Sequence, residues 1–126
     1  MLENISPYVY PGVKNVEEYK KSKRFKRDRI TKEEILSIVA KNCCVTTSKI
    51  LSRIREREVV DARHMYAAVL KLEFGHTYEH IGEILDRDHT TIIHALETYR
   101  DRYKHYEDYR GVADGIFEEI KSKIES

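Results

Sequence analysis

The chain has 126 residues, of which 40% are hydrophobic and 36% are charged, so it is long enough for one domain with a modest core. Its net charge of +1 does not by itself indicate a nucleic-acid partner, because basic and acidic residues can be segregated along a chain. No apolar stretch approaches about 20 residues and no signal peptide is evident, so we expect a cytoplasmic protein with no membrane contact. The adjacent Cys43 and Cys44 cannot form a disulfide framework.

The first 29 residues differ in composition from the rest. Met1–Val13 is aromatic, contains both prolines and lacks a helical period, whereas Lys14–Arg29 is dense in charge. We interpret residues 1–29 as a basic arm or linker that can be partly helical, followed by a domain over residues 30–126. The arm either holds nucleic-acid phosphates without sequence preference or is a solvated tail, and its composition leaves both open.

Two short helices are predicted at the start of the domain. The scarcity of glycine and proline after residue 12 favours an all-α fold. Thr31 and Glu34 have the spacing of a capping box, which predicts a first helix over roughly residues 32–43. A run of hydroxyl residues then interrupts the apolar period, and a second helix is predicted over roughly residues 48–53.

The next two helices have clear start and stop signals. Asp61 is a suitable N-cap for a third helix over about residues 62–73, and Gly75 is well placed to end it. Thr77 is expected to begin a fourth helix. Gly82 lies inside that helix, where close packing against a neighbouring element is the expected reason for a glycine.

Two longer helices complete the prediction. Asp88 is expected to cap the fifth helix, although Asp86 and Arg87 are alternative caps. Tyr99 and Tyr103 fall on the inward face of this helix. A terminal amphipathic helix follows, and its apolar stripe packs either on the domain's own core, which we favour, or on another chain. The stripe comprises Val112, Ile116, Ile120 and Ile124.

The segment from Thr77 to Ala95 has the layout of a helix-turn-helix, in which a short helix and a tight break precede a longer helix. In that motif the second helix enters the major groove of DNA, and its first residues meet base edges. A carboxylate can accept from cytosine, a threonine can contact a thymine methyl, and the helix N-terminus attracts phosphate. The residues at this position are Arg87, Asp88, His89, Thr90 and Thr91.

The same residues carry a resemblance to a known family. The run from Arg87 to Thr91, followed by two aliphatic residues, His94 and Ala95, closely resembles the signature of the C-terminal DNA-binding domain (domain IV) of the bacterial replication initiator DnaA. The resemblance extends from about Ile30 to at least Arg100. It implies an all-α bundle of about six helices with a Trp-repressor-like helix-turn-helix, which binds a DnaA-box-like site in double-stranded DNA in replication initiation or its regulation. A nucleoid-associated location follows.

The resemblance also implies roles for individual residues. Asp88, His89 and Thr90 match positions that contact bases, and Thr91 matches a position near the backbone. Arg55 matches an arginine that enters the adjacent minor groove from a basic loop. The other positions implied at the DNA are Arg57 in the same loop, Arg63 and Lys71 at phosphates, and Tyr78 near a thymine methyl.

Several residues depart from the family pattern. Glu56, Glu58 and Asp61 add negative charge to a loop that is more basic in the family, so we expect lower affinity or altered readout by the loop. Glu79 stands where proline is common. The turn before Arg87 is about one residue shorter than the usual form.

Other functions have weaker support. The motif G-x-x-x-x-G-K-[ST] is absent, so we expect neither an ATPase nor any other enzyme, and no cofactor. His76 and His80 are four residues apart but lack a metal-binding pattern, so no metal is expected. We expect a monomer that can also contact other replication proteins. The alternative is a helical protein-interaction module, or an initiator mimic that does not bind DNA.

Overall fold

A computed structural model of the chain describes residues 29–125, and this part is a bundle of six α-helices without strands. The all-α prediction is therefore confirmed. The proposed arm lies outside the described residues, apart from Arg29. None of the described helices has the length and apolarity that crossing a membrane requires. The helices are α1 (Lys32–Cys43), α2 (Thr47–Leu51), α3 (Arg57–Ala68), α4 (Tyr78–Leu85), α5 (His89–His105) and α6 (Glu107–Glu125).

Helix α1 begins at the predicted capping box. The Thr31 hydroxyl oxygen accepts a hydrogen bond from the Glu34 N–H at 3.1 Å, and the Glu34 carboxylate accepts from the Thr31 N–H at 3.1 Å. These reciprocal bonds pair two backbone donors that a helix start leaves free. Hydrogen bonds from Thr31 also hold the pKa of Glu34 below its usual value. The predicted bounds of this helix are confirmed.

Helix α3 begins four residues before the predicted cap, so the assignment of Asp61 as the N-cap is wrong. The observed cap is Glu56, which makes no side-chain capping bond. Val59 and Ala62 are buried, and this burial extends the helix toward its N-terminus despite the weak local signal. Asp61 lies in the second turn, where its carboxylate is 3.6 Å from the Arg102 guanidinium.

Helix α3 continues as a π-helical turn over Val69–Glu73 and then stops at Gly75, as predicted. Gly75 has a φ of 71°, a left-handed conformation that costs glycine little. The N–H of His76 donates to the carbonyl oxygen of Leu70 at 3.1 Å, which closes the end of the helix. This compact end leads directly to Thr77, the N-cap of α4.

The core forms where α3 packs against α1 and α5, with α6 covering α1 and α5. Tyr99 and Tyr109 are buried in this core, while Tyr103 is half-buried and Tyr106 is exposed. The terminal helix packs on the domain itself, as we favoured. The largest fully buried side chains include Tyr66, Phe74, Phe117, Ile35, Ile50 and Leu70.

The predicted stripe of α6 is correct for three of its four residues. Ile116, Ile120 and Ile124 are buried, but Val112 is 36% exposed. Each four-residue step advances about 40° around a helix, so Val112 is rotated by about 120° from Ile124. Tyr109 and Ala113 take the inward position at this end of the helix instead.

Replacing Ile120 by alanine should test whether α6 belongs to the core. Because Ile120 is fully buried, Ile120→Ala should lower the free energy of unfolding by roughly 2–5 kcal/mol in urea denaturation. Val112→Ala on the same helix is the matched control and should cost well under that amount. Equal small losses for the two variants would contradict the packing of α6.

The stability of the domain should depend on pH through His64. This side chain is largely buried on α3, and its Nδ1 has no hydrogen-bond partner among the described residues. Burial lowers the pKa of His64 to about 4, and the nearby charges of Arg63 and Arg102 act in the same direction. Between an unfolded value near 6.5 and about 4, only the unfolded chain binds this proton.

We therefore expect the free energy of unfolding to fall as the pH drops from about 6.5 to about 4, and the contribution of His64 to be constant above this window. Urea denaturation at a series of pH values measures this slope. The variant His64→Gln should have a shallower slope over the same window. An identical slope in the variant would exclude His64 as its source.

Candidate nucleic-acid interface

The turn between α4 and α5 depends on a close backbone approach at Gly82. The N–H of Arg87 donates to the carbonyl oxygen of Gly82 at 2.8 Å. A Cβ on Gly82 would lie 2.4 Å from the carbonyl oxygen of Arg87, so the predicted reason for this glycine is confirmed. Asp86 ends α4 in the left-handed region with a φ of 55°. Aspartate tolerates this conformation better than most residues, which allows a short turn.

Helix α5 begins with a capped and polar first turn. Asp88 is the N-cap, and its carboxylate accepts a hydrogen bond from the Thr90 N–H at 3.1 Å. His89, Thr90 and Thr91 are exposed, whereas Ile92 is buried. The first turn therefore presents only polar side chains to solvent. Asp88, His89 and Thr91 line one groove together with the turn, whereas Thr90 is exposed outside it.

Arg87 differs from its neighbours because its guanidinium points into the molecule. Its Nη1 donates to the carbonyl oxygen of Leu85 at 2.7 Å, and its Nη2 donates to that of Ser52 at 2.9 Å. Partial burial lowers the pKa of Arg87, and the nearby Arg53 adds to this effect. The side chain thus joins the turn to the loop between α2 and α3.

Arg63 is also directed inward and is only 8% exposed. Its Nε donates to the carbonyl oxygen of Ile50 at 2.8 Å, and its Nη2 donates to that of Ser52 at 2.8 Å. The same Nη2 lies 3.1–3.2 Å from the carbonyl oxygens of Lys49 and Ile54. Arg63 therefore donates to carbonyl groups at the end of α2 and in the loop that follows it, including those of Ile50 and Ser52. Its expected phosphate contact stays a prediction.

The loop between α2 and α3 carries the predicted minor-groove arginine, Arg55, which is exposed. Arg55 and Arg53 line a cleft together with Arg63 and Arg87. Arg57 instead lies in the first turn of α3 and lines a separate cleft near Asp61 and Arg102. Arg55 therefore lies near the turn between α4 and α5, whereas Arg57 lies at a different part of the surface.

Arg53 is a residue of this surface that sequence reasoning missed. Its Nη2 donates to the carbonyl oxygen of Asp86 at 3.1 Å and to the Asp86 carboxylate at 3.2 Å. The only signal in the sequence was its place in the basic loop. Its partner is distant in sequence, so no local pattern indicated the contact.

Lys71 and Tyr78 lie beside each other where the π-helical turn meets the start of α4. The Lys71 Nζ is 4.2 Å from the centre of the Tyr78 ring, which is a cation–π contact. Burial lowers the pKa of Lys71, and the nearby Glu79 carboxylate opposes this shift. The ring therefore holds the ammonium group close to α4.

Two of the three acidic departures have cationic neighbours in the folded domain. The carboxylate of Glu56 is 3.7 Å from the Lys49 ammonium, and that of Asp61 is 3.6 Å from Arg102. Asp61 is therefore oriented toward the C-terminal part of α5, whereas the predicted base-contacting residues lie at its N-terminal end. Glu58 is exposed in the first turn of α3, where a negative charge is favourable to the helix dipole.

Among the described residues, the pair of His76 and His80 does not belong to a larger cluster of metal-binding side chains. The rings of His76 and His80 have centres 4.7 Å apart. Within residues 29–125 no group of three or more histidine, cysteine, aspartate or glutamate side chains is arranged to hold a metal ion.

Helices α4 and α5 are joined by a short turn that begins with the left-handed conformation of Asp86, and α5 starts with exposed polar residues. This arrangement defines a helix-turn-helix domain of the DNA-binding class. The family model for the bacterial dnaA protein helix-turn-helix matches residues 32–98, just over half of the chain. The chain belongs to this family. The resemblance seen in the signature from Arg87 to Ala95 is thereby confirmed.

Individual relatives agree with the family match. The chain is 40% identical over 65 residues to the chromosomal replication initiator protein DnaA of Ureaplasma parvum, covering 51% of this chain and 14% of that protein. It is 32% identical over 104 residues to the DnaA of Nautilia profundicola and 28% identical over 105 residues to that of Thermomicrobium roseum. Each of these two alignments covers 79% of this chain, but 22% and 23% of the respective relative. The chain thus spans less than a quarter of the length of each.

The close approach at Gly82 should make this position intolerant of any side chain. Gly82→Ala places a Cβ against the backbone of Arg87, so we expect the free energy of unfolding to fall by about 1–3 kcal/mol. Gly111→Ala is the matched control, since Gly111 also lies in a helix but a Cβ added there would meet nothing within 4 Å. The control should gain roughly 0.5–1 kcal/mol from helix propensity. Equal gains in both variants would contradict the turn geometry.

Proposed function

We propose that this chain binds double-stranded DNA sequence-specifically, at a site resembling a DnaA box, and acts in replication initiation or its regulation. The observation that carries this proposal is the start of α5, where the consecutive polar residues Asp88, His89, Thr90 and Thr91 are exposed. The next residue, Ile92, is buried, so the helix is attached to the core while its first turn stays free.

The chemistry of these side chains suits base recognition in the major groove. The Asp88 carboxylate retains acceptor capacity for cytosine N4 beyond its bond to Thr90. His89 offers a ring donor, and Thr90 offers a hydroxyl group and a methyl group. Thr91 lies in the same first turn and is suited to a phosphate, which the N-terminus of α5 also attracts.

A second contact region lies beside this helix. Arg55 extends from the loop next to the turn, and an exposed arginine suits the negative potential of a narrow minor groove. Lys71 lies near the start of α4 and supplies a cation for the phosphates of the DNA backbone. Arg53, in the same loop, is paired with the Asp86 carboxylate. Arg55 and Lys71 are therefore the cations that we expect to meet phosphates beside α5, in a chain whose net charge is only +1.

The role in replication is supported by the family and by the names of the relatives. The described helix-turn-helix is of the bacterial dnaA type, and the relatives are replication initiator proteins. Because the chain spans less than a quarter of each relative, we assign it only the DNA-recognition part of that activity. We expect this part to work as a monomer.

Fluorescence anisotropy with a DnaA-box duplex and a scrambled duplex, over a series of salt concentrations, tests this proposal. We expect tighter binding to the box, with a log–log salt slope of about −0.9 per neutralised phosphate. Equal binding to both duplexes would contradict sequence specificity. No binding to either duplex would favour a protein-interaction module instead.

The histidine of the first turn provides a sharper test. His89→Ala should weaken binding to the box by about 1–3 kcal/mol and reduce discrimination between the duplexes. His105→Ala is the matched control, because it removes an exposed imidazole about 24 Å further along the same helix. The control should bind as the parent chain does. Unchanged discrimination in His89→Ala would remove this residue from the reading surface.

A further inference from the structure

The carbonyl oxygen of Ser52 is held by two arginines from different parts of the chain. Arg63 on α3 donates to it through Nη2 at 2.8 Å, and Arg87 in the α4–α5 turn donates through Nη2 at 2.9 Å. Ser52 is the C-cap of α2 and opens the loop that carries Arg55. The start of this loop is therefore bonded both to α3 and to the turn before α5.

The two terminal nitrogens of Arg87 serve different elements. Its Nη1 donates to the Leu85 carbonyl oxygen at 2.7 Å on the turn, while its Nη2 reaches Ser52 on the loop. A guanidinium group can make both bonds because its donors form a rigid planar fork. Lysine has a single nitrogen on a flexible stem, so it cannot reproduce this pair.

A second connection joins the same two elements. Arg53 in the loop donates to the carbonyl oxygen and carboxylate of Asp86 in the turn. Asp86 has the left-handed conformation that starts the turn. The loop and the turn thus contact each other at two adjacent points, Ser52 with Arg87 and Arg53 with Asp86.

We propose that Arg87 is a positioning residue. It holds the loop bearing Arg55 in a fixed position relative to α5, so that Arg55 enters the minor groove while the first turn of α5 contacts the adjacent major groove. This inference rests on the proposed function and deepens it. The partly buried Arg87 acts through Arg55 and makes no direct contact with DNA. It thereby differs from the direct DNA contact that the helix-turn-helix layout predicted for Arg87.

A double-mutant cycle tests this role by anisotropy with the box duplex. Arg87→Lys keeps the charge but loses the fork, and we expect affinity to fall about tenfold in the parent chain. In an Arg55→Ala background the same substitution should cost less than about twofold, because the group being positioned is absent. The salt slope should be the same for Arg87→Lys and Arg87→Met.

Arg110→Lys is the matched control for general loss of an arginine fork. Arg110 donates to the carbonyl oxygens of Tyr103 and Lys104 at 3.0 Å each, at the opposite end of α5. This variant should leave DNA affinity unchanged. An equal loss of affinity in both Arg87→Lys and Arg110→Lys would attribute the effect to stability and overturn the proposal.

Two other results would also overturn it. One is an equal cost of Arg87→Lys with and without Arg55, which means that the two arginines act independently. The other is parent-like affinity for Arg87→Lys together with a salt slope for Arg87→Met that is smaller by about one charge, which identifies a direct phosphate contact.

Hydrogen exchange of the free protein separates this inference from the proposed function. Amides of residues 52–56 should exchange faster in Arg87→Lys than in the parent or in Arg110→Lys, without any DNA present. Unchanged exchange would overturn the coupling even if the chain binds DNA. If the parent chain binds neither duplex while exchange is faster, the proposed function fails and the reading role of Arg87 fails with it.

Discussion

The helix-turn-helix depends on how closely the backbone of the turn approaches Gly82. The carbonyl oxygen of Arg87 occupies the space that a side chain at position 82 would need. This approach directs α5 away from α4 within a turn of very few residues, and it places Asp88 where it can cap the new helix. The polar residues that follow this cap are exposed, whereas Ile92 is buried in the core.

The positive charge of this domain has two separate uses. Arg63 and Arg87 are directed inward, where they donate to carbonyl groups at the end of α2 and in the turn. Arg55 is instead exposed on the loop, where its minor-groove contact stays a prediction. The acidic side chains of Glu56 and Asp61 have cationic neighbours of their own, Lys49 and Arg102.

Features formed within one helical turn could be predicted from the sequence. The capping box of Thr31 and Glu34, the caps Thr77 and Asp88, and the stop at Gly75 all involve groups a few residues apart. The start of α3 could not be predicted in this way, because Glu56 makes no capping bond and burial of Val59 extends the helix. The burial predicted for Val112 was wrong for another reason. A four-residue spacing drifts around the helix, so it does not say which of its members face the core.

The amino-acid sequence by itself determined the all-α class, the position of the helix-turn-helix and the identity of the exposed residues at the start of α5. These follow from local hydrogen bonding and from the spacing of apolar residues, which a linear pattern contains. Only the tertiary structure decided that Arg63 and Arg87 share the Ser52 carbonyl oxygen, and that Arg53 contacts Asp86. A long cationic side chain can reach many acceptors, and packing of the helices decides which carbonyl groups come within hydrogen-bond distance.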